Sequence, residues 1–515
     1  MVKNQKNNKL KIVVFFLITL LFKPLWLFNN NSLGIPGDDM SYWLHSATLA
    51  FDQDLEYTND YEINSSIFNS ETNTPSHPPG AGYLASPFVF LLSQLDKFID
   101  NSIDNTRINP VKSFAYLGFF IAGLFYTYLG TLLLSKILKK YNNKYAGLLI
   151  FCGFLSTLVH FVSTRFLMAH AAEFFLCSVL IYIFEKNKNK HLSITETSSL
   201  FLTFFLLAIT RPSTFLYSLF LIFFYRKKFN FNIKSNSIYL IQFLVLSTFY
   251  VLISNKLYKK NFMLLNTYGE NMNEYTSTLN FEQLFNGLLK LPNLFFSTNM
   301  GIIFSTPIVF LATIIFFTKQ FKNSEKKLDI LFIFLFFSAS FMPLLIWQGR
   351  EVAYGQRLLI GIIPFCILIT CKYLKDNRQI LIVKVLTVIS YVGYLLFYSS
   401  KKLTLKPGLT LWGSQVGFTA ENYYIEAGKA LTDFETIVSA LLRNIYVVDF
   451  LKFFNLRNFL QDSSLLNYSN FEQVDSFLRF ADIYHNLNTN YLVFVNILIF
   501  IFSYAYTKLI FSIRS

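Results

Sequence analysis

Residues 3–43 read KNQKNNKLKIVVFFLITLLFKPLWLFNNNSLGIPGDDMSYW, and this stretch decides the architecture. Lys3, Lys6, Lys9 and Lys11 precede a largely apolar run that opens at Ile12 and closes at Phe28, with Lys23-Pro24 inside it. Positive flanks stay on the cytoplasmic side of a membrane span, so the chain is expected to start inside. The run is longer than the apolar part of an ordinary signal peptide, and no small-residue cleavage pattern follows in Asn29-Asn30-Asn31-Ser32, so it reads as a retained anchor. Gly37-Asp38-Asp39, with Tyr42 and Trp43 behind it, then falls at the outer face.

Working outward, the same pattern repeats. Of 515 residues, 53% are hydrophobic, 61 are Phe, and the mean hydropathy is +0.42. Apolar runs long enough to cross a bilayer as helix fall at 12–28, 113–135, 145–163, 168–184, 195–210, 213–225, 237–255, 301–318, 328–347, 356–371, 379–398 and 490–511. The expected fold is therefore an all-α polytopic membrane protein of about twelve transmembrane helices, with short interfacial helices on its outer loops. Every predicted inner loop is basic: Lys136 to Lys144, Lys186 to Lys190, Arg226 to Lys234, Lys319 to Lys327, Lys372 to Arg378, and Lys508 with Arg514. Of the 30 acidic residues, this topology puts only Glu185, Glu196, Glu325, Asp329 and Asp376 inside. The net charge of +15 thus describes an inner rim facing anionic membrane lipids, and not a nucleic-acid surface.

The four cysteines, Cys152, Cys177, Cys366 and Cys371, all fall in predicted spans, which favours small buried hydrophobes over a disulfide framework. Neither Gly-x-x-x-x-Gly-Lys-Ser/Thr nor Gly-x-Gly-x-x-Gly occurs, so a nucleotide-driven pump would need a partner chain. Three predicted outer segments are sizeable, 29–112, 256–300 and 399–489, whereas the inner loops are short. The division that follows is a transmembrane module at 1–398, an outer segment at 399–489 that matches nothing nameable, and a last span with its inner tail at 490–515. Working parts concentrate on loops held by a rigid scaffold, which points to the outer face.

The first outer segment is the richest in chemistry. Met40 to Phe51 suits a short helix at headgroup level, with Tyr42 and Trp43 at its start. Acids follow at Asp52, Asp54, Glu56, Asp60 and Glu62, and then Thr74-Pro75-Ser76-His77-Pro78-Pro79-Gly80. Paired prolines hold the backbone extended and Gly80 permits a turn, so His77 is presented on a stiff loop before the apolar stretch Tyr83 to Leu95.

Taken in order, Gly37-Asp38-Asp39-x-x-Tyr42, His77-Pro78-Pro79-Gly80, the stretch Arg165 to Glu173, and Tyr354-Gly355-Gln356-Arg357 with the later Pro364 resemble the GT-C glycosyltransferases. The resemblance is nearest the family 39 group of bacterial sugar transferases, which is related to protein O-mannosyltransferases and lipid A aminoarabinose transferases. It covers residues 1 to about 370, and its weight lies in the order of motifs that are each weak alone.

The resemblance implies a GT-C-like module that transfers a sugar from a polyprenyl-phosphate carrier to a lipid, glycan or protein acceptor at the outer face of a bacterial-type inner membrane. An acceptor hydroxyl must lose its proton as it attacks the anomeric carbon, and a carboxylate can take it. Asp38 holds the place of the family's acid in this loop and is assigned the base role. Asp39 holds the place of a second acid that orients the acceptor or binds a cation. The departing lipid phosphate calls for a guanidinium, with Arg357 first and Arg211, Arg165 and His77 behind it. Relatives often carry Lys where His77 stands. Tyr42 joins the substrate contacts. His170 and Glu173 share a helical face and serve either as a second acidic contact or as a local hydrogen-bonded pair.

Plainer readings stand beside these. Asp38-Asp39 would also cap a helix, His77 would also pack its loop, and Arg357 and Arg211 would also snorkel to headgroups. No metal is assigned: the six histidines are scattered, against zinc, while a hard divalent cation would take Asp38, Asp39 and Glu173 as oxygen donors. The rival classes are a secondary transporter or flippase, which would place ionisable groups near mid-membrane, and an O-antigen polymerase or ligase, whose essential residues would sit in late outer loops.

Overall fold

The computed structural model describes residues 2–22, 37–61, 68–69, 73–97, 107, 110, 113–141, 144–155, 157–187, 192–225, 233–259, 295, 301–320, 327–346, 356–374, 377–394 and 489–513. Most of the two later predicted outer segments, 256–300 and 399–489, and Tyr354-Gly355 lie outside these residues. In lipid every backbone polar group must be satisfied within its own segment, so apolar runs become helices. A helix lies on each predicted run.

In chain order the helices are α1 (Val2–Leu21), α2 (Gly37–Ala47), α3 (Thr58–Tyr61), α4 (Gly80–Asp96), α5 (Phe114–Leu138), α6 (Ala146–Phe154) and α7 (Thr157–Ser163). They continue as α8 (His170–Lys186), α9 (Ile194–Thr210), α10 (Pro212–Tyr225), α11 (Ile233–Tyr258), α12 (Ile302–Ser305) and α13 (Pro307–Gln320). The last four are α14 (Lys327–Ile346), α15 (Ile363–Tyr373), α16 (Asn377–Gly393) and α17 (Thr489–Ser512). A two-stranded antiparallel ribbon pairs β1 (Phe68–Asn69) with β2 (Thr74–Pro75), with Phe68 opposite Pro75.

Among the described residues, Phe114–Tyr141, Ser237–Tyr258 and Leu492–Ser512 can each cross a membrane by length and apolarity, and α6 with α7, bent by 60°, form either a broken span or a re-entrant loop. Breaks account for some of the other runs. Thr306-Pro307 divides α12 from α13, and a 3₁₀ turn, Arg357–Ile362, precedes α15. The helices Ile194–Thr210 and Pro212–Tyr225 are apolar but shorter.

Helix α5 is the hub: 61% of its most apolar window is buried, and it packs on α4 and α8. Helix α11 has only 6% of its window buried, and Leu240, Ile241, Phe243, Leu244 and Leu252 are exposed along it, the surface a helix shows to lipid. The start of α5 is doubly capped, since Asp96 accepts from the Phe114 and Ala115 amides at 2.6 and 2.9 Å and Ser113 accepts from that of Tyr116. The four cysteines are buried and free.

The first outer segment corrects one expectation. Helix α2 begins three residues before Met40 and is buried against the rest of the protein rather than exposed, with Tyr42, Trp43 and Leu44 at 0% exposure. The reason is that it packs against α4, and the Trp43 ring meets Phe51 and Tyr116 edge-on. Its C-terminal end widens into a π turn, Thr48–Asp52. Arg107 fastens that turn: its guanidinium donates twice to Asp52, at 2.9 and 2.7 Å, and once to Asp60 at 2.7 Å, while Thr48 donates to Asp60. These predicted loop acids thus hold the α2 end in place.

Candidate active site

Asp38 and Asp39 occupy the first turn of α2, where carboxylates suit the positive end of a helix. Adjacent residues on a helix point about 100° apart, so the two acids meet different partners. The Asp38 side chain is 42% exposed; its Oδ1 lies 3.7 Å from Nε2 of His77 and its Oδ2 lies 3.4 Å from Nη1 of Arg357. Asp39 is buried, and Arg165 donates to its Oδ2 through Nε at 3.0 Å and also through Nη2.

Electrostatics separates the pair. Burial pushes the Asp38 carboxyl up, but His77, Arg357 and Arg165 together hold it below the usual carboxylate range. For Asp39 burial outweighs Arg165, and the neighbouring Asp38 charge adds to it, so its pKa is raised. Asp38 is therefore the open, ionised carboxylate and Asp39 the enclosed one.

His77 is buried with its ring 5.1 Å from that of Tyr42, and Ser76 Oγ lies 3.2 Å from its Nδ1, leaving Nε2 toward Asp38. Burial, together with Arg357, Arg211 and Arg165, lowers its pKa to about 4 although Asp38 opposes this, so the ring is neutral at physiological pH. A neutral imidazole offers a hydrogen bond but no charge.

The His77 loop is fixed at both ends. Its carbonyl accepts from Nε2–H of His45 and from the Tyr258 hydroxyl, both at 2.7 Å. Gly80 sits against α9, where a Cβ would come within 2.3 Å of Thr210 Oγ1, so only glycine lets the loop close on that helix end. Arg211, the next residue after Thr210, is buried with Nε 3.7 Å from Glu173 Oε2. Glu173 also meets His170 Nδ1 at 2.8 Å and accepts from the Thr214 hydroxyl. Arg357 opens the 3₁₀ turn, which approaches Glu173 closely at Gly361.

The structure thus joins Asp38, Asp39, Tyr42, His77, Arg165 and Arg357 by direct contact, and sets His170, Glu173 and Arg211 in a buried knot beside them. Arg165, expected as a phosphate contact, is taken up by Asp39. Arg211 and Arg357 are enclosed rather than snorkelling, at 9% and 15% side-chain exposure. Among the described residues no three His, Cys, Asp or Glu side chains converge as a metal requires. Guanidinium groups lie against Asp38, Asp39 and Glu173, the three oxygen donors expected for a hard divalent cation.

Sequence reasoning missed His45, Tyr258 and Arg107. His45 had a signal: Asp38, Tyr42 and His45 are spaced by four and then three residues, one helix face. Tyr258 and Arg107 had none, since their partners lie far away in sequence.

No protein-family model matches the chain, and no curated protein matches it. Among solved structures it is similar to the oligosaccharyltransferase of Archaeoglobus fulgidus, tethered by a disulfide bond to an acceptor peptide containing the NVT sequon, at 11% identity and a TM-score of 0.38. The match covers 93% of this chain and 59% of that one, so the chain spans about three fifths of its length.

Proposed function

We propose that this protein is a GT-C-type membrane glycosyltransferase of the family 39 kind. It moves a sugar from a polyprenyl-phosphate carrier to a lipid, glycan or protein acceptor at the outer face of a bacterial-type inner membrane, within a bundle of about twelve spans. The observation that supports this most is the half-exposed, ionised Asp38 carboxylate standing between a neutral imidazole and a guanidinium, all from sequence-distant motifs.

In this reading the acceptor oxygen bonds to the anomeric carbon, its proton passes to Asp38, and the bond from that carbon to the phosphate oxygen breaks. Polyprenyl phosphate leaves with the electron pair, its charge met by Arg357. Asp39 acts through Arg165 as a positioning residue. The test is the purified chain in lipid nanodiscs, given a radiolabelled polyprenyl-phosphate sugar and a cell-envelope lipid and glycan extract. Label should move to an acceptor with equimolar release of polyprenyl phosphate; no transfer to any acceptor from any such donor would contradict the assignment. The buried His170, Glu173 and Arg211 knot favours a transporter as the second reading, in which solute would cross sealed vesicles with no bond broken.

A further inference from the structure

We propose that His45 is a positioning residue of this site: together with Tyr258 it clamps the main-chain carbonyl of His77, and the clamp sets the His77 ring against Asp38. The inference rests on the transferase reading for its kinetic consequence, but its geometry does not depend on it.

A carbonyl oxygen only accepts, so the ring nitrogen of His45 facing it, Nε2, must carry the proton. Burial keeps His45 neutral, lowering its pKa to about 3, and Nδ1 is then an acceptor to which the Tyr57 hydroxyl donates at 2.6 Å. The tautomer is fixed by its two partners. Tyr258 donates to the same carbonyl from the outer end of α11, so α2 and α11 grip one atom from two sides. That atom belongs to the residue whose ring faces Asp38, and His45 lies two turns along α2 from Asp38 itself. Donor and acid are thus carried on one rigid element, the arrangement that holds a site to within a fraction of an ångström.

None of this touches the substrate, so the expected signature is loss of alignment rather than of binding. His45→Phe keeps an aromatic ring, though a larger one, and removes both nitrogens, taking the Nδ1 acceptor from the Tyr57 hydroxyl and one of the two donors from the His77 carbonyl. His45→Gln keeps an N–H near the Nε2 position. Measured on the full-length chain in nanodiscs with a polyprenyl-phosphate sugar, His45→Phe should lower kcat about 10- to 100-fold with the donor KM within about twofold of the parent. His45→Gln should recover most of the loss, and Tyr258→Phe should fall between them.

A second readout needs no turnover. The chain has six histidines, so ring-labelled His gives a tractable nuclear magnetic resonance spectrum, with His77 assigned from the signal lost in His77→Gln. The groups facing His77 are Asp38 on α2, Arg357 on the 3₁₀ turn, Arg211 after α9 and Arg165 after α7. His77 should titrate near 4 in the parent and in His45→Gln, and move toward its ordinary 6.5 in His45→Phe as water reaches the loosened loop. Equal kcat in His45→Phe and the parent, or equal loss in the Gln and Phe variants, overturns the proposal. If the parent transfers no sugar, the transferase reading falls while the His77 signal still decides: an unmoved titration in His45→Phe overturns the clamp. Should His45→Phe fail to fold, Tyr258→Phe against His45→Gln carries the same comparison.

Discussion

Asp38 and Asp39 are neighbours in sequence and opposites in surroundings, and a single helical step produces the difference. One carboxylate is half open and held ionised by three positive or polar neighbours; the other is enclosed by Arg165. The sign of these shifts fixes a pH profile. A base with a lowered pKa is protonated only as pH falls through that lowered value, and His77, at about 4, changes charge only well below neutrality. The rate should therefore show no limb near pH 6.5 from either group and should fall only in acid; a limb near 6.5 that disappears in His77→Gln would place His77 in an ordinary environment. Arg357 gives a second test at this scale. Its partner in the reaction is a departing phosphate, and a charged hydrogen bond is worth about 2 kcal/mol, roughly 30-fold. Arg357→Ala should weaken donor affinity and rate by about that factor or more, and Arg357→Lys should lose only part, because one charge survives without the planar fork.

Elements bring these residues together, and here the sequence was readable in some places and silent in others. Helices α5, α9 and α10 follow apolar runs whose limits agree with the predicted spans to within a few residues, because lipid leaves an apolar run no alternative to helix. Helix α2 starts at Gly37, ahead of the Met40 that the sequence suggests, because Asp38 and Asp39 join its first turn, and Tyr42 and Trp43, which suit an interface by composition, are buried against α4. The Arg107 clamp on Asp52 and Asp60 was invisible: it joins residues roughly fifty positions apart with no periodicity to announce it. Gly361 shows how an element carries function at a distance. A Cβ there would come within 2.3 Å of Tyr217 Oη and 2.7 Å of Glu173 Oε1, so Gly361→Ala must displace these buried side chains or push the 3₁₀ turn away from α8 and α10. Since that turn begins at Arg357, the variant should lose donor affinity along with some thermal stability. Kinetics and melting in detergent check this, and parent-like behaviour in both would mean that the turn does not fix Arg357.

At the scale of the whole molecule, the account depends on orientation: α2, the His77 loop and the 3₁₀ turn must face the side away from the lysine-rich start. The buried native cysteines make this easy to examine, because they should stay silent toward an impermeant thiol reagent. Cysteine at exposed Asn59 should label in intact cells, and cysteine at exposed Lys140 should label only after the membrane is opened. The reverse pattern would put the site inside and remove the outer-face reading. What neither orientation nor packing supplies is the reaction itself, and one paired measurement addresses that directly. The purified parent and Asp38→Asn are compared for binding and turnover of the same polyprenyl-phosphate sugar in nanodiscs, the amide keeping the carboxylate's shape without its basicity. The account predicts donor binding within about threefold of the parent and a turnover reduced by about 100-fold or more. Near-parental turnover by Asp38→Asn would contradict it.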